Sequence, residues 1–131
     1  MAKRPTKTQL RFREIEKQLR LSRGTVSSLE ASSALTSLTR TTRDVSSSVT
    51  LLASDSVILA DASGGAITLT LPNVSSATDL QLDIKKVDSS ANAVTIDGFS
   101  TQTIDGATTQ ALNTQYDSLT VICDGTEWWI I

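Results

Sequence analysis

The chain has 131 residues, 39% of them hydrophobic and 20% charged, which fits one ordinary domain or a small domain with an accessory segment. It has no histidine and a single cysteine, Cys123, so an internal disulfide is impossible and the commonest general base and metal ligand is missing. The formal charge of −2 hides an asymmetry: residues 1–23 hold eight basic residues against two acids, net +6, and the remainder four basic against twelve acids, net −8. A basic arm on an acidic body is the expected reading.

Met1–Pro5 is followed by polar and basic residues, without the apolar core of a secretory signal. No stretch approaches the roughly 18 apolar residues of a membrane span. A soluble chain without membrane contact is therefore expected. Thr6 and Gln9 have the spacing of a capping box, in which hydroxyl and amide exchange hydrogen bonds with each other's backbone N–H. Phe12, Ile15 and Leu19 recur at helical spacing, Glu16 and Arg20 form an i,i+4 pair, and Gly24 supplies a stop. The pattern predicts a helix from about Thr8 to Arg23, within a basic helical anchor at 1–23. Its cations Lys3, Arg4, Lys7, Arg11 and Arg13, with the apolar Phe12, Ile15 and Leu19, are the candidates for docking onto a partner. Such a cluster attracts nucleic acid without sequence preference, or an acidic protein surface. With one aromatic and no reading motif, nucleic acid is the less favoured partner.

Residues 24–55 form a second zone, and Ser and Thr occupy 17 of the 35 positions in 22–56. Phe12, Leu19 and Val26 lie seven apart, with Ile15 and Leu29 beside them, and the seam fades at Ser33 and Thr36. A second register runs through Leu35, Leu38, Val45, Val49 and Leu52. Two heptad-like runs with a phase break predict an oligomerising stalk. A flexible linker is the alternative, because Ser and Thr are mediocre helix formers.

From 56 to 131 the chain consists of short apolar runs between turns. Ser56–Ala60 is β-branched and apolar, and Gly64-Gly65 suits a tight turn. Ile67, Leu69 and Leu71 alternate with threonines up to Pro72; Leu80, Leu82 and Ile84 alternate with polar residues. Val94 and Ile96 follow a polar turn, and Leu119, Val121 and Cys123 alternate further on. Asp-Gly pairs at 97–98, 105–106 and 124–125 mark turns where glycine takes a positive φ. Six to eight short strands at this spacing predict an antiparallel β-sandwich or small barrel. The ending Trp128-Trp129-Ile130-Ile131 is apolar on both faces of a strand. Either it is a fully buried central strand, or one face is covered by another subunit. The second is expected, with Leu35, Leu38, Val45, Val49, Trp128, Trp129, Ile130 and Ile131 as the oligomer interface.

Chemistry-bearing clusters are not visible. The Asp-Gly carboxylates suit turns, no calcium-loop motif occurs, and Cys123 has no histidine to activate it. An enzyme, a cofactor or a metal site is not expected.

Several strings together resemble a trimeric β-domain of bacteriophage virion proteins. They are Asp61-Ala-Ser-Gly-Gly-Ala-Ile-Thr-Leu-Thr-Leu-Pro72, Ile84-Lys-Lys-Val-Asp-Ser-Ser-Ala-Asn92, Val94-Thr-Ile-Asp-Gly98, Thr103-Ile-Asp-Gly106 and the ending Tyr116–Ile131. The resemblance covers about residues 50–131, in proteins of tail fibres, head fibres and capsid decoration. It implies a mainly β, trimeric virion protein without fixing its part of the virion; the outer surface of the particle is the expected place, after synthesis in the host cytoplasm. The expected function is capsid decoration, as a cement protein or short head fibre, bound to the major capsid protein or another virion protein. The alternative is a short tail-fibre or tail-tip adhesin, which should display aromatics on loop tips; Phe99, Tyr116, Trp128 and Trp129 are expected mostly in strands.

Overall fold

The computed structural model describes residues 4, 6–9, 11, 13 and 39–131. The chain divides into two compact units, Met1–Thr39 and Arg40–Ile131. In the first, residues 7–9, 11 and 13 are helical and exposed. The capping box is present: the Thr6 N–H donates to Gln9 Oε1 at 3.0 Å, and the Gln9 N–H donates to Thr6 Oγ1 at 3.2 Å. The remainder of the expected helix and the first heptad run lie outside the described residues.

The second unit holds nine strands: β1 (Thr42–Val45), β2 (Val49–Thr50), β3 (Val57–Ala60), β4 (Ile67–Thr70), β5 (Gln81–Lys86), β6 (Val94–Asp97), β7 (Thr109–Leu112), β8 (Ser118–Cys123) and β9 (Trp128–Ile130). They form a five-stranded sheet in the order β1-β3-β5-β8-β9 and a four-stranded sheet in the order β2-β4-β6-β7. From β1 to β6 the chain alternates between sheets, and each strand lies parallel to its predecessor in the same sheet. The unit therefore begins as a winding of three turns. It closes with antiparallel additions, β7 on β6, β8 on β5 and β9 on β8.

The all-antiparallel expectation is thus corrected to two mixed sheets in a sandwich-like, mainly β fold. Parallel neighbours need a crossover, usually a helix that buries the outer face of the sheet. Here the crossover is a strand of the opposite sheet, so the outer faces stay wet. The sequence keeps the same alternation of apolar and polar residues that an antiparallel sheet shows. Ile67 and Leu69 on β4, and Val94 and Ile96 on β6, are buried while their neighbours are half-exposed. One hydrophobic cluster joins both sheets, with Ile58, Leu82, Ile84, Val121 and Trp128 from the larger and Leu69, Val94 and Ile96 from the smaller.

The β-body starts at Arg40 rather than 56. Val45 lies on β1 and is buried in the subunit's own core, and Val49 on β2 is half-buried against it. Neither forms a helical stalk seam. Their spacing of four residues imitates a heptad because β1 and β2 are joined by a three-residue arc, which returns an inward-facing side chain at the same interval.

The turns separate two uses of glycine. Asp105 and Gly106 have φ of 50° and 80°, and Ile104 and Ala107 bond reciprocally across them at 2.7 and 3.1 Å. This is the two-residue hairpin geometry that Asp-Gly favours. Gly98 has no positive φ; a Cβ there would lie 2.0 Å from the Gln102 carbonyl oxygen. Close backbone approach, not turn conformation, requires that glycine.

Candidate interaction surfaces

The last strand sorts its residues by face. Trp128 is fully buried, Ile130 is half-buried against the core, Trp129 is 42% exposed and Ile131 66% exposed. Trp128 is therefore a core residue of its own subunit, and within this ending the exposed interface candidates are Trp129 and Ile131. Trp129 pairs with Ile122 of β8 on the outer face of the five-stranded sheet. Its indole N–H donates to Asp124 Oδ2 at 2.8 Å. Asp124 Oδ1 meanwhile accepts from the Thr126 and Glu127 N–H groups and the Thr126 hydroxyl. The Glu127 N–H, then the Thr126 hydroxyl and N–H, then the indole hold the Asp124 carboxyl well below the usual carboxylate range.

The outer edge of β9 is closed. The Trp128 N–H donates to the Thr103 carbonyl at 3.1 Å, and the Asp105 N–H donates to the Trp128 carbonyl at 3.0 Å. The Ile130 N–H donates to Asp105 Oδ1 at 3.0 Å. A loop thus takes the bonds a further strand would need, the usual protection against edge-to-edge pairing. Any association through Trp129 and Ile131 uses the face of the sheet, not its edge. Further along that face, Arg40 reaches over to Asp83 at 2.7 Å and to the Ser56 carbonyl at 3.0 Å.

A polar cluster that sequence reasoning missed lies at the end of β5. Lys86 is fully buried and its ammonium meets Asp88 Oδ1 at 2.7 Å. Asp88 also accepts from the Ala62 N–H at 2.8 Å, the Ser90 N–H at 2.9 Å and the Ser90 hydroxyl. Asn92 Nδ2 donates to the Ala62 carbonyl at 2.8 Å. The Lys86 ammonium first, then the Ser90 hydroxyl, hold the Asp88 carboxyl well below the usual range. Both backbone groups of Ala62 are clamped by the following turn of the winding. The signal was available: Lys86 shares the register of buried Leu82 and Ile84, and Asp88, Ser90 and Asn92 follow at two-residue intervals. A buried cation in that register requires an anion nearby.

Two aromatics stand on loops rather than strands, correcting the expectation that they lie in strands. Phe99, 38% exposed, follows β6, and Tyr116, 63% exposed, precedes β8. Tyr116 has φ +70°, a left-handed backbone that a bulky side chain adopts at a cost of about 1–3 kcal/mol. The Lys85 ammonium lies over its ring, 5.6 Å from the centroid.

Among the described docking candidates, Arg4, Lys7, Arg11 and Arg13 are exposed. Lys3, Phe12, Ile15 and Leu19, and the interface candidates Leu35 and Leu38, lie outside the described residues. Cys123 is buried, and burial pushes its thiol up from the ordinary value, the opposite of an activated nucleophile. Among the described residues, no group of three His, Cys, Asp or Glu side chains is gathered as metal ligands. No described helix is long and apolar enough to cross a membrane. An open hollow of about 210 Å³ between Asp44, Ser46, Leu59, Asp61 and Val87 is smaller than ligand pockets of roughly 300–1,000 Å³. The sequence matches no protein-family model and no characterised protein.

Proposed function

We propose that this chain is a structural protein of a bacteriophage virion. In this reading it is a trimeric capsid-decorating (cement) protein or short head fibre. It docks onto the major capsid protein, or another virion protein, through its N-terminal segment. The observation that carries the reading is the exposure of Trp129 on β9 and of Ile131 just beyond it, on a β-body whose last edge is closed. A face of this kind suits contact with further copies, while the closed edge opposes open-ended stacking. The cations of the capped N-terminal helix supply attraction to an acidic particle surface. The resemblance of residues 50–131 to virion β-domains supports the same assignment, and with it a non-enzymatic role.

A tail-fibre or tail-tip adhesin is the second reading, and the exposed loop positions of Phe99 and Tyr116 favour it. Counting copies in purified particles separates the two. Decoration predicts hundreds of copies per particle, whereas a few dozen or fewer would favour the tail. Deleting residues 1–23 should abolish attachment and leave the β-body folded. Attachment that survives the deletion would refute docking through this segment.

A further inference from the structure

We propose that the 113–117 turn is a binding site for neutral carbohydrate, with the open face of the Tyr116 ring as its platform. The site stands whichever part of a particle carries the protein. Tyr116 takes φ +70°, which glycine would adopt without steric cost. Its side chain is 63% exposed and contributes little to the core. The fold alone would be better served by glycine, so the value of the phenol ring lies in what it meets outside the fold.

The backbone that carries the ring is held by several hydrogen bonds. The Tyr116 N–H donates to the Lys86 carbonyl at 2.9 Å, and the Lys86 N–H to the Asp117 carbonyl at 2.9 Å. Asp117 Oδ2 accepts from the Asn113 and Thr114 N–H groups at 3.1 and 2.9 Å. Gln115 Nε2 donates to the Val87 carbonyl at 3.2 Å, and Lys85 Nζ to the Tyr116 carbonyl at 3.0 Å. A turn backbone fixed in this way lowers the ordering cost of binding.

The chemistry shown outward selects the ligand. The charges at the turn already have partners: Asp117 with two backbone N–H groups, Lys85 with a carbonyl and one face of the ring. What remains is the other ring face, with the exposed, uncharged Asn113 and Thr114 in the same turn. One ring is far below the roughly 800 Å² per partner of a stable protein interface. A sugar fits instead: its C–H face stacks on the ring and its hydroxyls meet the amide and hydroxyl groups.

The test titrates the full-length protein with maltohexaose, cellohexaose and chitohexaose while following backbone amide shifts. At least one oligosaccharide should give saturable shifts centred on 113–117. Tyr116→Ala should weaken its binding at least tenfold, while Tyr116→Phe keeps it within a few-fold. Tyr116→Gly should raise the melting temperature and abolish binding, a pair of opposite effects that a purely structural residue would not give. No saturable shift with any of the three sugars, undiminished binding by Tyr116→Ala, or a lower melting temperature for Tyr116→Gly would each overturn the proposal.

Discussion

Trp128 and Trp129 are neighbours in sequence and opposites in setting. The first lies fully inside the core, and the second holds 42% of its surface open on the outer sheet face, its indole fixed by Asp124. A strand turns successive side chains to opposite faces, so the same residue type serves folding on one side and contact on the other. The apolar ending is therefore not one interface. Its inner face is buried within a single chain, and its outer face is what the proposed assembly would cover.

Substitutions on the two faces should therefore break different things. Trp128→Ala should lower the stability of the β-body by about 3–5 kcal/mol, because it opens a large cavity in the shared core. Chemical denaturation of the purified variant measures this; a loss under about 1 kcal/mol would contradict the inward assignment. Gly98→Ala should come next, at about 1–3 kcal/mol, because its Cβ would lie 2.0 Å from the Gln102 carbonyl oxygen and force the loop before β7 to shift. An unchanged denaturation midpoint would show that the loop yields freely.

Acid offers a sharper comparison between core clamp and surface pin. Asp88 and Asp124 both have carboxyls depressed in the folded state. Their contribution is fully present above the unfolded value of about 3.9 and is lost as pH falls through that value toward the folded one. Melting temperature should accordingly decline below about pH 4. Asp88→Asn should flatten part of that decline and lower stability at neutral pH, since it leaves the buried Lys86 without its anion. A variant with the same acid profile as the parent would remove Asp88 from the account. The smallest effect on folding is expected at the surface: Trp129→Ser should change the stability of the single subunit by about 1 kcal/mol or less, yet dissociate the proposed trimer.

How much of this was legible varies with the element. Alternation exposed the inward faces of β4, β6 and β8, because Ile67, Leu69, Val94, Ile96, Val121 and Cys123 all fall in the core. The Thr6–Gln9 cap was readable because it depends only on local spacing. Parallel pairing was not readable, since a winding whose crossovers are strands leaves the same period-two pattern as hairpins. β1 and β2 were hidden in a Ser/Thr-rich stretch, where Val45 and Val49 imitate a heptad. β7, Thr-Gln-Ala-Leu, has no β-branched apolar run and was missed for that reason. Of the candidate surface, the C-terminal aromatics were visible but not their division by face. The left-handed backbone of Tyr116 leaves no trace in residue type at all.

Self-association is the claim on which the particle role rests, and the mass of the full-length protein in solution tests it most directly. Light scattering at micromolar concentration should return three times the 14.0 kDa chain mass, and Trp129→Ser should return the chain mass itself. A parent protein that stays at 14.0 kDa would contradict the account.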